Sequence, residues 1–205
     1  MLSVADLACE RGERELFRNL AFELEKGQAL LVRGGNGRGK TSLLRILSGL
    51  SSPTAGAVYW RGQPIEAVRE QYGYDMAYIG HANAIKDDLT PLENLQFAAA
   101  LRGRQFDSDQ AVEALAQLGL SHCIELPARA LSFGQRRRVA LSGLMLAGAL
   151  LWILDEPLTG LDIDGVAMVE KLIYSHIAAG GVAIMTTHQP LVLEGVIQIS
   201  ISVGG

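Results

Sequence analysis

Residues 34–41 read Gly34-Gly35-Asn36-Gly37-Arg38-Gly39-Lys40-Thr41, which fills the spacing G-x-x-x-x-G-K-[ST]. Glycines at these positions let the backbone curl until several N–H groups point inward at phosphate oxygens. A lysine next to the last glycine reaches the β- and γ-phosphates, and the hydroxyl of Thr41 is suited to Mg2+. Much later in the chain, Leu151-Trp152-Ile153-Leu154-Asp155-Glu156 is an apolar run that ends in two carboxylates. Read as a buried strand, it delivers both acids at its C-terminal end, the edge where open α/β sheets bind ligands. Asp155 is then placed to hold Mg2+, directly or through water, and Glu156 to orient and deprotonate an attacking water. The chemistry these residues imply is binding and hydrolysis of a nucleoside triphosphate.

The flanking patterns supply what such residues need for support. Ala29 to Val32 reads as a short buried strand entering the glycine loop, and Ser42 to Leu47 has the apolar spacing of a helix leaving it, so the phosphates would sit at a helix N-terminus. Residues 2–8 and 20–26 alternate apolar and polar around a turn at Arg11-Gly12-Glu13. Ala57 to Trp60 and Met76 to Gly80 are further strand-like runs. From Asp88 to about Leu146 the period becomes helical, with segments at Leu92 to Leu101, Ala111 to Leu118 and Gln135 to Leu146. Leu150 to Leu154 and Val182 to Thr186 read as buried strands, Gly165 to Ala178 as an amphipathic helix, and Val196 to Val203 as a last strand. Short apolar strands alternating with helices imply a parallel sheet covered on both faces, with the helical stretch inserted into it.

Composition sets outer limits. The chain has 205 residues, 49% hydrophobic and 20% charged, enough for one substantial domain. A formal net charge of −4 argues against nonspecific nucleic-acid binding, which needs a basic face. Arg136-Arg137-Arg138 is the densest basic spot and reads as a solvated helix face. Cys9 and Cys123 are far apart and share no C-x-x-C spacing, so neither a metal site nor a disulfide framework is expected. The first residues lack the charged and apolar regions of a secretory signal, and the most apolar run, Leu144 to Leu154, is far shorter than the roughly 20 residues of a membrane span. A soluble, cytosol-facing protein is expected.

Leu131-Ser132-Phe133-Gly134-Gln135 opens a helix with a capping-box pattern, Ser132 and Gln135 three residues apart, and its N–H groups offer a second anion site. With this segment in place the chain resembles the ATP-binding subunits of ABC transporters, whose signature is usually L-S-G-G-Q; here Phe133 takes the third position. The resemblance continues in the family's order with Asp155-Glu156, Leu161-Asp162 as D-loop, and His188 as switch histidine after Ala183 to Thr187. It implies an α/β P-loop NTPase of the ABC ATPase type over residues 1–205 as a single domain. Such a fold has a mainly parallel core sheet, an N-terminal antiparallel β subdomain and a helical subdomain inserted at about 88–146. It implies Glu156 and His188 as catalytic residues and Thr41 and Asp155 as Mg2+ ligands. ATP would be bound by Gly34, Gly35, Asn36, Gly37, Arg38, Gly39, Lys40 and Thr41, by Arg11, and by Ser132, Gly134 and Gln135. In the family two subunits pair head to tail, so that the γ-phosphate meets Lys40 of one copy and Ser132 and Gly134 of the other.

Two positions depart from the family. An aromatic residue on which adenine stacks usually stands near position 11, where this chain has Arg11. The glutamine that usually follows the strand ending near Gly80 is replaced within His81-Ala82-Asn83. Within the family, the chain is most similar to the ATP-binding subunits of the haem exporter used in cytochrome c maturation. The residues responsible are Trp60 to Ile65, Tyr78 to His81, Leu89 to Leu95, Gln135 to Leu141, Leu151 to Pro157 and Thr186 to Leu191. Its length fits as well, because these subunits are without the regulatory extension of many importer ATPases. That resemblance implies a peripheral protein on the cytoplasmic face of the bacterial inner membrane, docked to polytopic subunits of the haem export complex and to a second ATPase subunit, with no nucleic-acid partner. Its ATP hydrolysis would drive release of a haem-loaded periplasmic chaperone. A drug or lipid exporter ATPase has the same chemistry and differs only in its membrane partner. Soluble ABC ATPases of ribosomes or DNA usually carry two modules or a long coiled-coil insertion, which this chain does not show. His81, His122 and Cys123 could ligate haem, but without a C-x-x-C-H motif they read as packed or solvated groups.

Overall fold

The computed structural model describes residues 1–187 and the backbone of a last strand at 197–202. Two sheets form its framework. In the first, β1 (Leu2–Arg11) and β2 (Arg14–Leu24) make an antiparallel hairpin across Gly12 and Glu13, with Arg11 opposite Arg14. It is extended on the β1 side by β4 (Ala55–Trp60) and the two-residue β5 (Gln63–Pro64). The second sheet is parallel and runs in the order β6-β7-β8-β3-β9, with β3 (Gln28–Arg33), β6 (Met76–Ile79), β7 (Leu151–Asp155), β8 (Val182–Thr186) and β9 (Ile197–Ser202).

The apolar strands of the parallel sheet face a core on each side, and their side chains divide by the two-residue period of a strand. Leu30, Val32, Leu151, Ile153, Val182 and Ile184 point to one side. There they meet α1 (Lys40–Leu47) and the antiparallel sheet through Leu43, Leu44, Leu47, Leu2, Leu7 and Trp60. Ala29, Leu31, Trp152, Leu154, Ala183 and Met185 point to the other side. That face is covered by α3 (Pro91–Leu101), α4 (Ser108–Gln117), α5 (Phe133–Ala147) and α6 (Ile163–Ala178). Full burial of a Leu or Ile is worth roughly 1.5–3 kcal/mol. This exceeds the ~1 kcal/mol span of strand propensities, so leucine-rich segments become central strands here.

Most elements match the sequence reading with ends shifted by a few residues, but β2 begins at Arg14 instead of the expected residue 20, and the two-residue β5 was not read. Also unread is α2 (Arg69–Asp75), which has no apolar period and contains Gly73. Tertiary contacts hold it: the Tyr72 hydroxyl donates to the Leu47 carbonyl, and the buried Asp75 accepts from Trp60 Nε1 at 2.8 Å. The sheet order brings the C-terminal ends of β3, β7 and β8 side by side, with Asp155 in register with Thr186. The glycine loop leaves β3 at this same edge.

Candidate functional site

The loop after β3 takes backbone angles that only glycine adopts readily: φ is 147° at Gly34, 71° at Gly37 and 102° at Gly39. Gly39 is the left-handed N-cap of α1, and no side chain caps this helix. Its first N–H groups therefore point out of the helix toward the loop, in the arrangement that binds anions. Lys40 is mostly buried, and its Nζ donates to the carbonyls of Gly34 (2.8 Å) and Gly35 (3.4 Å). The ammonium thus lies along the mouth of the loop, bonded to the backbone that curls around it.

Opposite the loop, the end of β7 is wired by hydroxyls. Thr41 Oγ1 donates to Asp155 Oδ2 at 2.8 Å, and Thr186 Oγ1 donates to Asp155 Oδ1 at 2.7 Å. The backbone N–H of Glu156 donates to Thr186 Oγ1 at 2.9 Å. Asp155 is buried with both oxygens oriented, while Glu156, half-buried, follows with φ at 51°. That left-handed angle is costly for a residue with a side chain and persists only where surrounding contacts impose it. Burial pushes the phenol of nearby Tyr78 up, and the charge of Asp155 adds to this.

These groups share one cleft of about 660 Å³. Its walls include the expected residues Gly35, Asn36, Gly37, Gly39, Lys40, Thr41, Asp155, Glu156 and Arg11. Gly34 and Arg38 belong to the loop without lining the cleft; Gly34 gives its carbonyl to Lys40, and Arg38 is exposed. Arg14, His81 and Thr159 also line the cleft. The sequence pattern misses Arg14, because it starts the second strand at residue 20 rather than at Arg14, which the hairpin sets opposite Arg11; His81 is expected from sequence only as a residue that could ligate haem. His188 lies outside the described residues. The paired oxygens of Thr41 and Asp155 form a hard donor set of the kind Mg2+ prefers, so the residues fit that ion.

Ser132, Gly134 and Gln135 do not line this cleft. They open α5, where Ser132 Oγ accepts from Gln135 N (3.1 Å) and Gln135 Oε1 accepts from Ser132 N (2.8 Å). Gly134 is pressed against the loop after β7: a Cβ there would stand 2.6 Å from the Gly160 carbonyl oxygen. A Cβ on Gly160 would in turn stand 2.5 Å from the Phe133 ring, so Phe133 lies over the D-loop of its own chain. Asp162 caps α6 by accepting from Gly165 N at 2.9 Å. His122 Nε2 and Gln135 Nε2 are 3.2 Å apart, whereas Cys123 is buried and donates to the Leu120 carbonyl. Those neighbouring residues therefore do not face a common ligand.

The expectation of a solvated arginine face fails at its centre. Arg136 and Arg138 are half-buried, but Arg137 is only 1% exposed. Its Nη2 donates to the carbonyls of Asp155 (2.7 Å) and Glu156 (3.0 Å), its Nε to that of Pro157 (3.4 Å), and its Nη1 to Gly80 (2.8 Å) and to Asn83 Oδ1 (3.2 Å). Burial pulls the guanidinium pKa down, while the charges of Asp155 and Glu156 push it back up. The Asn83 amide oxygen, one residue beyond Ala82 where the family's glutamine is expected, is occupied by this arginine.

Comparison with known proteins agrees with the geometry. The family model "ABC transporter" matches residues 17–159. The "Cytochrome c biogenesis ATP-binding export protein CcmA" of Nitrosomonas europaea is 50% identical over 96% of this chain and 92% of its own length. Its namesake in Escherichia coli K12 is 49% identical over 93% and 90%. Among solved structures, a putative ABC transporter ATP-binding protein from Pyrococcus furiosus superposes with a TM-score of 0.85 at 23% identity, covering 98% of this chain and 96% of its own. The ATP-binding cassette MJ0796, in a dimeric post-hydrolysis state bound to ADP and Pi, gives 0.80 at 22% identity, covering 92% and 88%. Among the described residues no helix is long and apolar enough to cross a membrane.

Proposed function

The chain belongs to the ABC transporter ATP-binding family, and we propose that it is the ATP-hydrolysing subunit of the complex that serves haem export in cytochrome c maturation. Half of its residues are shared, along nearly its whole length, with proteins named for that role. In this reading the chain is peripheral on the cytoplasmic face of the bacterial inner membrane. It docks there on polytopic subunits, and hydrolysis drives release of a haem-loaded periplasmic chaperone.

The observation that carries the chemistry is the run of bonds from Thr41 through Asp155 and Thr186 to Glu156. ATP phosphates fill the glycine loop at the N-terminus of α1, and Lys40 turns from the Gly34 and Gly35 carbonyls to the β- and γ-phosphates. Thr41 and Asp155 would hold Mg2+, which would supply neutralisation of charge on those phosphates. Glu156 takes a proton from water as its oxygen bonds to the γ-phosphorus and the bridging oxygen leaves with ADP. His188 would hold the γ-phosphate and keep Glu156 and the water in line. Ser132 and Gly134 would reach the γ-phosphate of a second copy in a head-to-tail pair, which explains why they stand outside their own cleft. Breaking the γ-phosphate bond then removes the bridge between copies.

Two measurements test this. The Glu156→Gln variant should bind ATP with unchanged affinity and lose turnover by about 10²-fold or more; normal turnover would remove Glu156 as the base. Affinity purification of the chain from detergent-solubilised membranes should bring multi-span subunits and, with ATP withheld, a haem-staining protein. Other permease subunits without haem would keep the ATPase and discard the haem assignment.

A further inference from the structure

We infer that Arg137 is a positioning residue: its guanidinium fixes the backbone at 155–157 and the loop at 80–83 against α5, and so sets where the Glu156 carboxylate stands. The inference rests on the reading of Glu156 as the base and adds to it a means of placing that base.

Burying a charge is costly unless its bonds are satisfied, and here all three guanidinium nitrogens have acceptors. Four are backbone carbonyls and one is a side-chain amide, and they come from two segments distant in sequence. An apolar side chain of similar volume would fill the space but leave these acceptors without donors. A guanidinium adds a planar fork that holds several carbonyls in one arrangement.

What it holds is the strained step of the site. The Glu156 peptide, with φ at 51°, is bonded on its N–H side to Thr186 Oγ1 and on its C=O side to Arg137 Nη2. Contacts at both ends are what a left-handed residue with a side chain requires. Arg137 stands on α5, the helix that Ser132 caps, and Gly134 on the same helix abuts Gly160 with no room for a methyl group. A shift of α5 therefore carries three things together: the Ser132 end, the Glu156 peptide, and Asn83 after β6. Arg137 makes the position of the base depend on the position of the signature helix.

The test uses the purified full chain and reads ATP affinity and kcat separately. Arg137→Gln should lower kcat by about 10- to 100-fold, the usual range for residues that orient a catalytic group, with the ATP dissociation constant within about twofold of wild type. Arg137→Lys, which keeps charge and donors but not the fork, should recover part of that loss, and Asn83→Ala should show a smaller fall in kcat at unchanged affinity. A folded Arg137→Gln with wild-type kcat, or one in which affinity and kcat fall in step, overturns the inference. If Arg137→Gln does not fold, Asn83→Ala decides: reduced kcat at unchanged affinity supports it and unchanged kcat overturns it. Glu156→Gln is measured beside them. If it turns over normally, the base assignment fails whatever Arg137 does; if it is inactive while Arg137→Gln is normal, only the role of Arg137 fails.

Discussion

Two helices of this chain have N-termini that we propose meet phosphate, and they are finished differently. α1 begins at a left-handed glycine with no side-chain cap, so its first N–H groups are already aimed where the loop curls. α5 begins at Ser132 with both bonds of a capping box made inside the chain. A hydroxyl has one donor and two acceptor lone pairs. Accepting from Gln135 N therefore orients Ser132 without consuming its proton, which remains able to donate to a phosphate. In the proposed reading α1 would offer its first N–H groups to an anion directly, while α5 is a capped helix end that would add one donor and the N–H groups of Phe133 and Gly134. This difference suits one site that captures nucleotide alone and another that acts only when two copies meet.

The largest effect expected from this contrast lies at α1. Lys40→Ala removes the cation that the loop is wrapped around, and charge-assisted bonds to phosphate are among the stronger ones. ATP affinity of the isolated chain should fall by about two orders of magnitude. Titration with ATP checks this, and retained affinity would mean that α1 and its backbone alone hold the phosphates.

A smaller and more discriminating effect is expected at α5, because α3 supplies a control. Thr90 caps α3 with the same box, accepting from Glu93 N while Glu93 Oε2 accepts from Thr90 N. Ser132→Ala and Thr90→Ala should each cost about 1 kcal/mol of stability, or a few degrees in Tm for a chain of this size. Only Ser132→Ala should also lower ATPase turnover, with ATP affinity of the single chain retained. Equal turnover in the two variants would reduce Ser132 to a cap and remove the contrast between the two helix ends.

The same contrast explains what could be read from sequence. The glycine loop and Asp155-Glu156 were legible because their function depends on local spacing: a tight curl, then a strand that ends in acids. The parallel strands were legible because both faces are covered, leaving continuous apolar runs at Leu30, Ile153 and Ile184. Arg137 was not legible. Three consecutive arginines carry the expectation of solvent, and the acceptors that permit burial of the middle one lie at the end of β7 and just after β6, far away in sequence. The engagement of Asn83 was not legible for the same reason, since its amide oxygen, on the loop after β6, is bonded by Arg137 of α5. α2 was hidden because seven residues that include a glycine show no period, and Trp60 and Leu47 supply its support.

The smallest expected effect separates the phosphate end of the α1 site from its nucleoside end. Arg11 and Arg14, both exposed, line the cleft, and Arg11 holds the position where the family resemblance leads us to expect an aromatic ring under adenine. A guanidinium can lie flat on a base, but an exposed, flexible arginine must be ordered to do so, whereas an aromatic ring loses little freedom. An aromatic stack is worth about 0.5–1.5 kcal/mol. Arg11→Tyr should therefore raise ATP affinity by about two- to tenfold and increase the preference for ATP over GTP, while kcat at saturating ATP stays at the wild-type value. Parallel titrations with ATP, GTP and inorganic triphosphate check this, because triphosphate affinity should not rise with that of ATP. A rise common to all three would trace the effect to charge or to the loop. A fall for ATP alone would mean that Arg11 already holds the base and that the nucleoside end is as complete as the phosphate end.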